Sequence, residues 1–119
     1  MRYALFGAAA ASLLLLSSPV YAADVTVGSY KNEKREDFKR LDQIFLGGVR
    51  SGLVAYNAYL VSQGQKVAFC FPEHFELSVE RAESIMLNWA EKQTIDTNNL
   101  PVPVALMEGL KASFPCPLS

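Results

Sequence analysis

Two short segments, each with one cysteine among phenylalanines and prolines, constrain the fold of this chain more than any other feature. They are Phe69-Cys70-Phe71-Pro72 and Phe114-Pro115-Cys116-Pro117, and they carry the only two cysteines of the sequence. A bond between these cysteines would close the loop that separates them and stabilise the fold by about 4 kcal/mol in the chain-entropy account. Because a structural disulfide needs an oxidising compartment, the amino terminus bears directly on whether the bond is expected.

The first 22 residues have the order of a secretory signal peptide. A positively charged start, Met1-Arg2, precedes an apolar run over residues 3–16, and after a proline-containing break Val20-Tyr21-Ala22 offers small residues at the positions that a signal peptidase reads. This order predicts export and cleavage after Ala22. The alternative, a membrane anchor, needs about 20 apolar residues, and this run is shorter.

Cleavage would leave one domain, residues 23–119. Removing Arg2 reduces the 11 Lys and Arg residues to 10, against 12 Asp and Glu, so the net charge is near −2. A nucleic-acid partner is therefore not expected, since phosphate binding needs a basic excess. Two cysteines in an exported domain pair with each other more often than not, which predicts a Cys70–Cys116 disulfide.

The first half of this domain predicts one long helix. Apolar residues recur at spacings of three and four over Glu33–Ser62, with Asn32 as the N-cap and Gly64 in a left-handed C-cap. Glycines in its interior favour close approach of another helix or a kink. Ala23–Tyr30 has β-branched residues but no partner strand, and is predicted to be an extended arm, with a short strand that pairs between protomers as the alternative.

The second half predicts two shorter helices and a polar loop. Ser78 is a suitable N-cap for a helix that fades at Lys92-Gln93, and Pro101 precedes a third helix that ends at Pro115. A further short helix near residues 72–76 is left open. The predicted fold is all-α: a small bundle of three to four helices with one long first helix, stapled by a single disulfide.

The sequence has no concentrated catalytic constellation. His74 is the sole histidine, and with Glu73 and Glu76 it offers fewer nitrogen and sulfur ligands than a zinc site uses. A Cys–His nucleophile needs a free thiolate, and both cysteines are expected in the disulfide. We therefore expect no enzyme activity, no metal and no cofactor, and interpret the chain as a binding protein.

The segment from Phe69 to Cys116 resembles the Rap/Tai family of immunity proteins. The resemblance consists of a signal peptide, a first helix with small residues and a tyrosine (Gly52-Leu53-Val54-Ala55-Tyr56), the Phe-Cys-x-Pro segment, a helix capped at Ser78, and the almost terminal Phe-Pro-Cys. These are bacterial exported proteins that neutralise peptidoglycan amidase effectors of type VI secretion systems. The resemblance implies a periplasmic homodimer that occludes the amidase active site, without covalent chemistry.

Exposed polar segments between rigid helices are the expected contact surface with such an amidase. Their amide, carboxylate and amine groups would reach into a catalytic groove. The residues expected there belong to the polar loop, and secondarily to the end of the first helix: Glu91, Lys92, Gln93, Asp96, Thr97, Asn98, Asn99, Gln63, Gln65 and Lys66.

Other functions remain open at this stage. The main alternative is a small periplasmic chaperone or stress-binding protein with one disulfide, whose apolar surface would come from Phe38, Phe45, Tyr56 and Tyr59. A second alternative is an inhibitor of a lytic enzyme such as lysozyme, which would also act by covering an active site but would have a different target. A structural module without a binding role is the remaining alternative.

Overall fold

The computed structural model describes residues 25–118, and the predicted signal peptide and its cleavage site lie outside the described residues. Within them the chain forms four α-helices: α1 (Val27–Asn32), α2 (Glu36–Ser62), α3 (Val79–Glu91) and α4 (Val102–Ser113). The all-α fold, its one long helix and its single disulfide are confirmed.

The core lies where α3 and α4 pack on each other, with α1 and part of α2 closing its sides. At the crossing of α3 and α4, the backbone of Gly109 lies so close to Ile85 that an added Cβ would be 3.0 Å from the Ile85 carbonyl oxygen. The apolar side chains that are buried here come from every helix and from the segment before α3: Val27, Tyr30, Leu46, Phe69, Leu77, Ala82, Met86, Ala90, Val102, Ala105, Leu106 and Leu110.

The prediction of an extended amino-terminal arm is wrong, because residues 27–32 form α1. Thr26 and Ser29 make reciprocal side-chain to backbone hydrogen bonds, in which each hydroxyl accepts from the backbone N–H of the other residue. Val27 and Tyr30 are buried against the rest of the fold. A local capping box together with tertiary packing therefore outweighs the β-branched composition of the segment.

The long helix starts three residues later than predicted. Asn32 ends α1 instead of capping α2, and α2 begins at Glu36 after Arg35, which makes no side-chain capping bond. Glu36 and Asp37 place negative charge in the first turn, where the helix dipole stabilises it. The predicted end is confirmed, since α2 stops at Ser62 and Gly64 has a φ of 66°.

The two shorter helices begin as the sequence predicts. The Ser78 hydroxyl accepts a hydrogen bond of 3.1 Å from the Arg81 backbone N–H at the start of α3, and α4 begins directly after Pro101. Residues 72–76 form a turn and no helix, with His74 at a φ of 61°. The fourth helix of the described fold is therefore α1.

The two cysteine segments meet at one end of the fold. Cys70 and Cys116 are joined, with their Cα atoms 4.9 Å apart, and the Cys70 backbone N–H donates to the Phe114 carbonyl at 2.8 Å. The two segments also share an aromatic cluster, with neighbouring ring centroids 4.9–5.1 Å apart: Phe69, Phe71, Phe75 and Phe114. The disulfide and the packing of these rings therefore join the same two parts of the chain.

Polar side chains of α2 hold this helix against the segment before α3. The Arg50 guanidinium donates to the Leu77 carbonyl at 2.6 Å, and the Asn57 amide donates to the Phe69 carbonyl at 2.9 Å. Leu46 is the one side chain of α2 that is buried completely. The long helix therefore lies on the bundle along one narrow side and leaves much of its surface free.

Candidate partner-binding surface

The loop between α3 and α4, residues 92–101, is polar and internally hydrogen-bonded. Asp96 accepts from the Asn98 backbone N–H at 2.9 Å, which makes a tight turn, and the Leu100 N–H donates to the Thr97 carbonyl at 3.0 Å. The Gln93 amide donates to the Trp89 carbonyl at 2.9 Å. These bonds give the loop a defined shape between the two helices.

The α1 segment fastens this loop from outside. The Val27 N–H donates to the Leu100 carbonyl and the Gly28 N–H donates to the Asn98 carbonyl, both at 2.9 Å. Gly28 approaches so closely that a Cβ there would be 2.9 Å from the Asn98 carbonyl oxygen. The free N–H groups of the first turn of α1 therefore bind the loop, and the loop shape depends on a residue without a side chain.

The loop and the end of α3 present several polar side chains to solvent. Gln93 and Thr97 are partly buried and hydrogen-bond to backbone carbonyls of α3, so they shape the loop. Within the described part of the chain, the side-chain amides of Asn98 and Asn99 make no intramolecular hydrogen bond. The predicted contact residues that are exposed in this region are Glu91, Lys92, Asp96, Asn98 and Asn99.

The second predicted segment is exposed as well, but it lies elsewhere. Gln63, Gln65 and Lys66 precede Val67, whose carbonyl is 3.9 Å from the Cys116 sulfur beyond the carboxyl end of α4. The polar loop leads into the amino end of α4, and α4 has 12 residues, a length of about 18 Å. The two predicted segments therefore do not form one site.

Replacing Gly28 by alanine is expected to loosen the polar loop. The new methyl group would press on the Asn98 backbone carbonyl, and relieving that overlap costs about 1–3 kcal/mol because α1 and the loop backbone must separate. We expect faster hydrogen exchange of the Asn98 and Leu100 amides and a lower midpoint of thermal unfolding. Lys31→Ala, at an exposed position of the same helix, is the control and should leave both unchanged.

Two cavities were not predicted from the sequence. A groove of about 590 Å³ runs between α2 and the segment before α3, and its lining includes Arg50, Val54, Phe71 and Phe75. A smaller cavity of about 320 Å³ lies beside Tyr30, between α1, α2 and α3. Neither could be located from sequence, because each depends on how α2 is placed on the bundle.

Two described residues that line the smaller cavity, Tyr30 and Asp42, have raised pKa values. Burial raises the pKa of the Tyr30 phenol well above its usual range, and the negative charges of Glu83 and Asp42 raise it further, although no hydrogen bond of normal geometry joins Tyr30 to Glu83. Burial, and then the charge of Glu33, raises the pKa of Asp42. Because the pKa of Asp42 is higher in the folded than in the unfolded chain, its ionised carboxylate lowers the stability of the fold at neutral pH. This destabilisation is lost as the pH falls through the folded-state pKa and the carboxylate becomes protonated.

One side of α2 carries apolar and small residues that are exposed to solvent, although the Arg35 guanidinium lies 4.2 Å from the centroid of the Phe38 ring. We call this side the exposed α2 face; it consists of Phe38, Leu41, Ile44, Gly48, Gly52, Ala55, Tyr56 and Tyr59. The sequence predicts an amphipathic helix, but it does not say that much of the apolar stripe points away from the core. By length and composition α2 could also cross a membrane, with a mean hydropathy of 1.2 over its most apolar 18 residues.

In residues 25–118 no three histidine, cysteine, aspartate or glutamate side chains cluster as metal ligands would. His74 is exposed in its turn, and both cysteines are bonded to each other. Comparison of the chain with protein-family models, with curated proteins and with solved structures gives no match.

Proposed function

We propose that this chain is a periplasmic immunity protein that binds a peptidoglycan amidase effector of a type VI secretion system and occludes its active site. The exported protein, a homodimer, protects the producing cell and its sisters. It acts as a plug and carries out no reaction. The polar loop between α3 and α4 is the part that enters the amidase groove.

The observation that carries this proposal is the fixed shape of the polar loop. An inhibitory loop binds tightly when little conformational entropy is lost on binding, so a loop that is ordered beforehand is favoured. Here the loop is bonded internally through Asp96 and Thr97, and it is bonded to α1 through the Asn98 and Leu100 carbonyls. The side-chain amides of Asn98 and Asn99 are exposed and make no hydrogen bond to any residue of 25–118, so they can pair with a partner.

The two cysteine segments give a second line of support. The proposed family membership depends on the paired Phe-Cys-x-Pro and Phe-Pro-Cys motifs, and in this fold they are in contact and joined by the disulfide. The bond fixes the carboxyl end of α4 to the segment before α3. The polar loop leads into the amino end of α4. By fixing the carboxyl end of this helix, the disulfide helps to hold in place the helix that the loop adjoins.

An inhibition assay with matched loop variants tests the proposal. The mature chain is mixed at equal concentration with an amidase that cleaves peptidoglycan stem peptides, and released muropeptides are measured. We expect the wild-type chain to stop cleavage and the double variant Asn98→Ala/Asn99→Ala to weaken inhibition by at least about 30-fold, since truncation of a central interface residue costs about 2 kcal/mol or more. The control is Gln63→Ala/Gln65→Ala. These residues follow α2 and lie near the carboxyl end of α4, away from the loop.

The outcomes separate the candidate surfaces. Full inhibition by the loop variant together with loss in the Gln63→Ala/Gln65→Ala control would move the site to the end of α2. Unchanged cleavage in the presence of an excess of wild-type chain rejects immunity against that amidase. An open reading frame for a small cysteine amidase beside this one would identify the enzyme to assay first.

A periplasmic chaperone is the second candidate, and the exposed α2 face favours it. Phe38, Tyr56 and Tyr59 are 40%, 59% and 56% exposed, which is unusual for aromatic side chains of a small domain. Such a surface would bind unfolded clients by apolar contact. Protection of an aggregating client at low pH, measured by light scattering, would support the chaperone, whereas unchanged scattering would reject it.

A further inference from the structure

The smaller cavity, of about 320 Å³, brings together acidic groups from two helices. Asp42 belongs to α2 and Glu83 belongs to α3, and both side chains are half-buried in the cavity wall. Burying a carboxylate is costly unless a cation pairs with it, because the charge loses its water. The two carboxylates therefore differ from the solvated acidic residues elsewhere on the helices.

No cation of the described chain pairs with either carboxylate. Among residues 25–118, no lysine, arginine or histidine nitrogen lies within 4.0 Å of the carboxylate oxygens of Asp42 or Glu83. Two lysines border the cavity, but Lys39 pairs with Glu36 at 3.5 Å and Lys31 is exposed. The negative charge of the cavity is thus not neutralised within the described part of the chain.

A buried phenol borders the same cavity. The Tyr30 side chain is only 9% exposed, and its hydroxyl oxygen has no hydrogen-bond partner among the described residues. Burial raises the pKa of this phenol, and the charges of Glu83 and Asp42 raise it further, so both carboxylates act on it from nearby. A buried hydroxyl without a partner is uncommon. Three groups with acceptor oxygens therefore border one cavity, and no donor of the described chain bonds to any of them.

These groups fit an extended cation better than a metal ion. A calcium ion takes about six to eight oxygen ligands at about 2.3–2.6 Å, and in residues 25–118 no three acidic, histidine or cysteine side chains cluster in that way. The cavity is about ten times the volume that one water occupies in the liquid. Its lining also includes Leu87 and Tyr30, which offer apolar surface to the hydrocarbon stem of a basic side chain.

An arginine matches this arrangement better than a lysine. Its planar guanidinium has five N–H donors, so it can bond two carboxylates and still donate to a third oxygen. A lysine ammonium is a compact charge that holds its water strongly and lacks this planar fork. Hydrogen bonds between a guanidinium and a carboxylate are also among the strongest that side chains form.

We propose that this cavity binds an arginine side chain of a partner protein, with the guanidinium paired to Asp42 and Glu83 and the stem on Leu87. The partner presents this arginine on a protruding segment, because the acceptors are half-buried between helices. The interaction goes beyond the proposed function, since the cavity is formed by α1, α2 and α3 and not by the polar loop.

Titration of the mature chain with N-acetyl-arginine amide, followed by nuclear magnetic resonance, tests the proposal. This probe carries the guanidinium and no other charge. We expect it to shift the resonances of Tyr30 and Leu87 with a Kd on the order of 1 mM, the strength of a small ligand in a small site. N-acetyl-citrulline amide has nearly the same shape without the charge, and as the matched control it should leave these resonances unchanged.

Three charge-removing variants locate the guanidinium. Asp42→Asn and Glu83→Gln keep the shape of each side chain, and each should raise the Kd of the arginine probe by about 10-fold, because a charge-assisted hydrogen bond becomes a weaker neutral one. Glu80→Gln is the control, since it removes the same charge from an exposed position of α3 outside the cavity lining. Its Kd should stay within about 2-fold of the wild-type value, because salt screens surface charges.

The other outcomes contradict the proposal. Equal shifts with the citrulline probe would show that the cavity does not select a cation. Equal losses in Glu80→Gln and Glu83→Gln would mean that the probe follows only the net charge of the surface. If calcium chloride shifts Tyr30 and Leu87 and the arginine probe does not, the cavity is a metal site. Amidase inhibition is measured separately, so failure of the arginine probe leaves the proposed function standing, and failure to inhibit leaves the cavity proposal standing.

Discussion

Replacing Cys70 and Cys116 together by alanine is expected to lower the free energy of unfolding by about 4 kcal/mol, the largest effect of any change proposed for this fold. The bond joins residues 46 positions apart, so its loss releases a long loop in the unfolded chain. A domain of this size has a total stability of about 5–15 kcal/mol. The variant should therefore be only marginally folded at 37 °C.

Chemical denaturation followed by circular dichroism measures this change. Reductant provides the control: it should destabilise the wild-type chain by the same amount and have no effect on the double variant. A loss below about 1 kcal/mol would mean that the aromatic cluster holds the ends of the loop together without the bond. Phe71 would then be the residue to examine, since its ring contacts those of Phe69, Phe75 and Phe114.

Most of the fold was predictable because strong local signals and one covalent constraint agree. The Ser78 cap, the proline before α4 and Gly64 after α2 each determine a helix end through backbone chemistry that neighbouring residues supply. The α1 segment was not predictable in the same way. Its six residues are too few for a helix to be stable alone, and it is held by packing against residues more than 60 positions away.

The candidate site was predictable in position but not in architecture. The run Asp96-Thr97-Asn98-Asn99 indicates a loop, and the loop lies where the sequence predicts it. That α1 donates hydrogen bonds to its carbonyls depends on tertiary contacts that no local pattern reports. The spacing of apolar residues in α2 is likewise insufficient to predict its packing. It shows which residues share a face of the helix, but it does not show whether that face contacts the core.

Gly109→Ala and Gly47→Ala are expected to change stability in opposite directions, although both replace a glycine in a helix interior. Alanine favours the helix by up to about 1 kcal/mol at either site. At Gly109 the new methyl group would lie 2.9 Å from the Ile85 side chain and 3.0 Å from its carbonyl oxygen, so α3 and α4 must separate. At Gly47 the methyl would meet only Val79, at an ordinary contact distance of 3.5 Å.

The expected result is a loss of about 1–3 kcal/mol for Gly109→Ala, the usual range for overpacking, and a gain of up to about 1 kcal/mol for Gly47→Ala. Unfolding midpoints in denaturant, at equal slopes, report both values. The Gly109→Ala/Ile85→Ala double variant relieves part of the overlap, so its loss should be smaller than the sum of the two single losses. A stabilising Gly109→Ala would show that α3 and α4 are not in close contact at this point, which would remove the rigid base on which the polar loop is mounted.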